Sequence, residues 1–430
     1  MIHPRRRCAM SQSHIHPAPG MEPPFLAPPT ADAYTEVMVP VYSPLDLLAV
    51  RAQGATVWDA AGKEYIDLSG GIAVNALGHC HPVLIEALTA QAHRLWHISN
   101  TYKSDATLRL AGALTRSTFA ERVFFANSGA EANEAAFKLA RRYGLHQSPQ
   151  KYEIVAAHNS FHGRSLFTVS VGGQPKYSNG FGPAIEGIRH VPFNDLDALE
   201  QAVSQNTCAV VLEPVQGESG VLPATREYLA CARALCDRHN ALLILDEVQT
   251  GVGRLGTLFA YEHFGVVPDV MTIAKAIGCG VPLSAMLTMA KFAEHLGQGT
   301  HGTTFGGNPL ACAVGEAALH AISQPELLHG VLERHDYLVR RLRQIGERYG
   351  VFEEVRGIGL LIGCVLAEPW HGKARDVAKA ALAHGVMVLQ AGQHVMRLAP
   401  SLNISYPEID EGLARLEALA RELSHEAATC

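Results

Sequence analysis

The stretch Ala241-Leu242-Leu243-Ile244-Leu245-Asp246-Glu247-Val248-Gln249 sets five apolar residues directly before an aspartate. A short run with no polar alternation suits a strand buried on both faces, the kind found in parallel sheets covered by helices on either side. Two more runs have this form. Residues 209–212 end at Glu213-Pro214, and Val270–Ile273 leads into Ala274-Lys275. In each, a side chain capable of chemistry stands just past the carboxyl end of the expected strand, where ligands bind in open α/β sheets. The three runs predict an α/β fold with polar residues converging on one sheet edge.

Composition narrows the class. A chain of 430 residues can hold two or three domains and a large core. Charged residues make up 18% and the net charge is -6, so no broad basic field exists to attract nucleic acid or a membrane surface, and neither is an expected partner. Nine cysteines without C-x-x-C spacing predict reduced thiols and a cytoplasmic location. Arg5-Arg6-Arg7 is not followed by an apolar signal core, and no run reaches the ~18 apolar residues of a membrane span. Residues 1–33, rich in Pro and His without hydrophobic periodicity, are expected to be a disordered N-terminal extension, with Met10 or Met21 as alternative starts. The last ~110 residues read as helix-rich with a short β section around residues 359–366, forming a smaller domain.

Upstream, Asn127-Ser128-Gly129-Ala130-Glu131-Ala132-Asn133 follows apolar residues 123–125 and opens a helix whose Ala132, Ala135, Ala136, Leu139 and Ala140 share a stripe. Ser128 and Glu131 have capping-box spacing, and the amides of Gly129 and Ala130 are then left for an anion at the positive end of the helix dipole. The same pattern also serves a helix that is merely well capped, so its meaning depends on its partners.

Asp246 would be costly to keep charged at the end of an apolar strand unless a cation lay against it. A protonated pyridine nitrogen is such a cation, and an aspartate there keeps a pyridoxal ring electron-withdrawing. Gln249 is then within reach of the ring hydroxyl. Lys275, at the mouth of another apolar strand, becomes a nucleophilic amine when desolvation lowers its pKa. A single lysine at such a place commonly snorkels to solvent; the combination Asp-x-x-Gln with Lys275 points instead to pyridoxal phosphate.

The strings NSGAEAN (127–133), HNSFHGR (158–164), EPVQGE (213–218), DEVQTGVG (246–253), AKAIG (274–278) and HGTTFGGNP (301–309) resemble the class III aminotransferases, over about residues 34–419, and within them the acetylornithine branch most closely. The resemblance implies a fold-type I pyridoxal-phosphate transferase. Its large domain, residues 76–322, would hold a mostly parallel sheet flanked by helices, and a smaller α/β domain would combine residues 34–75 with residues 323–430. It implies catalytic roles for Lys275 and Asp246, with Phe161 stacked on the ring, Gly129 and Ala130 on the phosphate, and Thr304 reaching the phosphate of a neighbouring subunit in a homodimer with shared sites. Arg164 and Arg397 would hold the two carboxylates of glutamate or 2-oxoglutarate, Glu218 would neutralise Arg397 when an acylated ornithine is bound, and Tyr42 and Thr303 would add contacts. Succinylornithine, succinyl-diaminopimelate, ornithine and 4-aminobutyrate are alternative donors, and an inactive homologue serving as a binding subunit is the alternative from another class. Family members often carry Thr at the position of Ala130 and Gly at that of Ser219.

Two further patterns have plainer readings. Gly251-Val252-Gly253-Arg254-Leu255-Gly256 spells G-x-G-x-x-G, but Asp246 and Gln249 intervene after the strand, so a dinucleotide site is not expected. The histidines of His79-Cys80-His81 and of His158/His162 lie outside any H-E-x-x-H helix, and no metal is expected.

Overall fold

The computed structural model describes residues 33–429, the side chains of the last three excepted. The expected disordered extension lies outside the described residues apart from Ala33. Residues 33–48 belong to one unit, which contains the short helix Ala33–Val37, and the described residues from Ala49 onward form a second.

The second unit is built on a seven-stranded sheet. In spatial order its strands are Arg122–Ala126, Ser284–Thr288, Val270–Ile273, Leu242–Asp246, Thr207–Leu212, Glu153–Ala157 and Ile188–Val191. Ser284–Thr288 runs antiparallel to both neighbours, and the remaining pairings are parallel. Alternate residues of each strand feed two different cores: Leu243, Leu245, Met271 and Ile273 face one, Leu242, Ile244, Val270 and Met286 the other. Burial on both faces explains why these strands read as unbroken apolar runs, and each fully buried Leu or Ile contributes roughly 1.5–3 kcal/mol.

Helix Gly129–Leu145 covers the second face, with Ala132, Ala135, Ala136, Leu139 and Ala140 all buried. It starts where the capping box fixes it: Ser128 Oγ accepts from the Glu131 amide at 3.3 Å, and Glu131 Oε2 accepts from the Ser128 amide at 3.0 Å. Gly253 and Gly256 sit at positive φ in the turn that follows Asp246, and a Cβ on either would fall within 2.6 Å of Ile322 or Leu332. The G-x-G-x-x-G glycines thus let a turn pack against helices Pro309–Ile322 and Pro325–Tyr349.

Beyond residue 322 the chain carries more β structure than its sequence suggests. Strands Phe352–Ile358, Leu361–Leu366, Val395–Leu398 and Leu389–Ala391 form an antiparallel sheet, in that order. The outer strand carries Glu353, Glu354 and Arg356, which interrupt the apolar pattern that marks a strand in sequence. Strands Ala49–Gln53, Thr56–Asp59 and Glu64–Asp67 make a third sheet, to which Val386–Met387 adds in parallel, so residues from both ends of this unit share one sheet. No helix among the described residues is long and apolar enough to cross a membrane.

Candidate active site

The carboxyl edge of the large sheet opens into a cavity of about 480 Å3 lined by Ser128, Gly129, Ala130, Phe161, Asp246 and Lys275, among others. Strand pairing brings these together. Asp246 lies opposite Thr272 on the adjacent strand, three residues before Lys275.

Asp246 is 3% exposed and fully engaged. Its Oδ2 accepts from Asn133 Nδ2 at 2.8 Å and lies 2.7 Å from His162 Nδ1, while Oδ1 accepts from the Val248 amide at 3.0 Å. Asn133 is itself fixed by Thr272 Oγ1, which donates to its Oδ1 at 2.7 Å, and donates to the His162 carbonyl at 2.9 Å. Burial alone would lower the His162 pKa, but the hydrogen bond and charge of Asp246 outweigh it and hold the imidazole above its ordinary value. Asn133 and Thr272 carry no local sequence signal for this role, and His162, which the sequence offers only as a discounted metal ligand, has its Nδ1 on Asp246.

Glu213, at the end of strand Thr207–Leu212, lines the same cavity and accepts from the Phe161 amide at 2.9 Å. Burial pushes its carboxyl from 4.5 up to about 8, against the pull of nearby His162. Below pH 4.5 folded and unfolded chains both keep this proton; between there and about 8 the unfolded chain alone releases it, so this group makes stability fall as pH rises. Glu213→Gln, which keeps an acceptor for Phe161, is expected to flatten part of that decline, as read from denaturant unfolding at pH 5 and pH 8.5. An unchanged slope would assign the titration elsewhere. Glu247, buried against the amides of Ala260 and Tyr261, is pushed up to about 8 in the same way and adds to that decline.

Lys275 occupies the left-handed region at φ 50°, a conformation costing a non-glycine residue about 1 kcal/mol or more. Burial lowers the pKa of its amine, Glu218 opposes that change, and Arg397 reinforces it. The result is an amine that gives up its proton more readily than a surface lysine and so serves as nucleophile and base.

Arg397, on strand Val395–Leu398, is 1% exposed. Its Nη1 donates to Glu218 Oε1 at 2.6 Å, to the Gly217 carbonyl at 2.8 Å and to Gln249 Oε1 at 3.1 Å. Burial works against the ionised Glu218 carboxylate, but Arg397 and Lys275 outweigh it and hold its pKa below the ordinary value. Gln249, read from sequence as a partner for a ring hydroxyl, also lines the cavity, and here it bridges the Arg397–Glu218 pair. Arg164 lies on the cavity with its guanidinium 3.6 Å from the Tyr177 ring centre.

Thr303 and Thr304 are not among the residues that line the Lys275 cavity. Thr303 and Thr304 line a separate cavity with Glu131 and His301, joined to the first through Asn127, whose Nδ2 donates to Thr303 Oγ1 at 3.3 Å. Tyr42 belongs to the unit ending at Leu48 and is exposed.

A lysine amine, a buried carboxylate on a neighbouring strand and an open helix N-terminus around one cleft define a pyridoxal-phosphate site. A Cβ on Gly129 would lie 2.8 Å from Val248 Cγ1, so only glycine leaves this helix start open beside Val248. The amides of Gly129 and Ala130, which an α-helix leaves unpaired, lie on the cavity, while the capping box satisfies those before them. The residues present therefore fit the cofactor.

Comparison with known proteins agrees. Residues 38–419 match the family model Aminotransferase class-III. The chain belongs to the class III aminotransferases and is a pyridoxal-phosphate-dependent transaminase. It is 62% identical to acetylornithine aminotransferase 1 of Pseudomonas syringae pv. tomato, over 91% of this chain and 97% of that protein. It is 61% identical to the succinylornithine transaminase/acetylornithine aminotransferase of Pseudomonas aeruginosa, over 91% and 96% of the two chains. The crystal structure of N-acetylornithine aminotransferase from Stenotrophomonas maltophilia superposes with a TM-score of 0.79 at 43% identity, covering 90% of this chain and 98% of that one.

Proposed function

We propose that the chain transfers the distal (δ) amine of N2-acetylornithine to 2-oxoglutarate, yielding glutamate and the semialdehyde in arginine metabolism, as a cytoplasmic homodimer with shared active sites. The observation that carries this reading is the pairing of buried Arg397 with half-buried Glu218, 2.6 Å apart beside Lys275. One pocket must take a donor lacking a carboxylate next to the reacting carbon, then an acceptor that has one. An uncompensated buried arginine is costly, so Glu218 neutralises Arg397 for the donor and yields it to the acceptor.

Bound pyridoxal phosphate supplies an electron-withdrawing ring that stabilises negative charge on the substrate carbon. Gly129 and Ala130 would hold its phosphate through their amides, aided by Thr304 of a second copy. Phe161 would pack on the ring, Asp246 would offset the charge on its nitrogen, and Gln249 would serve its hydroxyl. Lys275 moves the proton from the donor carbon. Arg164 holds the carboxylate far from the reacting carbon, the α-carboxylate of acetylornithine or the γ-carboxylate of glutamate, as a bidentate pair. Thr303 and Tyr42 complete the substrate contacts. The double name of the Pseudomonas aeruginosa relative, which includes succinylornithine transaminase, supports a second donor, N2-succinylornithine.

The test compares kcat/KM for N2-acetylornithine, N2-succinylornithine, succinyl-diaminopimelate, ornithine and 4-aminobutyrate with 2-oxoglutarate. The two N2-acylated ornithines are expected to lead. A preference for free ornithine or 4-aminobutyrate would reject the assignment.

A further inference from the structure

Glu218 sits at the tip of a tight hairpin between strands Val215–Gln216 and Leu222–Pro223. Every residue of that tip is held. The Gly217 carbonyl and the Glu218 carboxylate are on Arg397. Ser219 Oγ donates to the Asn159 carbonyl, on the segment that carries Phe161 and Arg164. The Gly220 carbonyl accepts from Arg356 Nε at 3.0 Å and Nη2 at 2.8 Å.

The two arginines are related by register. Arg356 lies opposite Gly363, and Gly363 opposite Arg397, so the three form one row across adjacent antiparallel strands, with the outer two roughly 10 Å apart on one face. Gly363 leaves the middle of the row bare: a Cβ there would lie 2.9 Å from Val221 Cβ. The hairpin tip thus lies across the row, with Glu218 over one guanidinium, Gly220 over the other and Val221 on the glycine between them.

From this we infer that Ser219 and Arg356 are positioning residues that set how readily Glu218 surrenders Arg397. Arg356 pins the tip at Gly220, beyond the moving carboxylate, and Ser219 latches the stretch between that anchor and Glu218. Releasing Arg397 to a substrate carboxylate swings Glu218 away and strains or breaks the Ser219 latch. The latch therefore favours the state matched to a donor with no carboxylate beside its reacting carbon. This rests on the exchange of Arg397 between Glu218 and substrate proposed above.

Ser219 is half-exposed, so its replacement does not endanger folding. Ser219→Ala in the holoenzyme is expected to raise the ratio of kcat/KM for 2-oxoglutarate to that for N2-acetylornithine about three- to tenfold, the effect of one hydrogen bond. Glutarate, an unreactive dicarboxylate, should bind tighter by a similar factor in calorimetry, and Ser219→Thr should restore both values. Arg356→Met should shift the ratio the same way. Glu218→Ala serves as the reference. If it changes the ratio while Ser219→Ala and Arg356→Met do not, the latch is wrong and the exchange stands. If Glu218→Ala also leaves the ratio untouched, the exchange fails and the latch with it.

Discussion

Lys275→Ala is expected to lower kcat by about four orders of magnitude or more while the protein still retains pyridoxal phosphate. Lys275 is the one lysine among the described residues that line the cavity. The lysine stands at the end of strand Val270–Ile273, at a left-handed backbone position, with its pKa lowered by burial. The contacts assigned to the phosphate and ring come from Gly129, Ala130, Phe161 and Asp246, which the substitution leaves in place. Single-turnover absorbance with N2-acetylornithine and cofactor retention after dialysis separate the two effects. Lys275→Gly should be equally inactive yet more stable than Lys275→Ala, because glycine adopts positive φ without the Cβ penalty. Turnover in either variant within tenfold of the parent would remove Lys275 from the reaction.

The next largest effect belongs to Asp246→Asn, expected to reduce kcat by about 10²–10³, the scale for losing one preorganised electrostatic contact. The amide keeps the shape of the side chain and can keep the bond from the Val248 amide. It cannot keep the charge. His162 would lose the partner that holds its pKa up, and burial would then favour the neutral imidazole. With the remaining oxygen on the Val248 amide, the new NH2 would face the Asn133 Nδ2 donor, and that hydrogen bond is lost. A variant that folds normally, binds the cofactor and keeps kcat within tenfold would show that the negative charge is not needed.

Much of the fold was legible because the large sheet is buried on both faces, which writes its strands into the sequence as apolar runs with a polar residue at each end. The helix start at Ser128 was legible for a local reason, since a capping box spans four residues. The supports of the site were not. Asn133, Thr272 and His162 meet Asp246 from three different elements, and nothing in the residues beside any one of them announces that meeting. Strand Phe352–Ile358 escaped because its charged residues break the apolar pattern, and with it went Arg356. Its relation to Arg397 is a matter of register across three strands, visible only once they are paired.

The order of these parts along the chain has a consequence for biosynthesis. The residues around the cleft, from Gly129 to Lys275, and the sheet that carries them are all translated once Thr288 leaves the ribosome. Arg397 emerges roughly a hundred residues afterwards. Until then the Glu218 hairpin has neither guanidinium to rest on, so a nascent chain arrested near residue 310 carries the residues assigned to the vitamin before the pair that would adapt one pocket to donor and acceptor in turn.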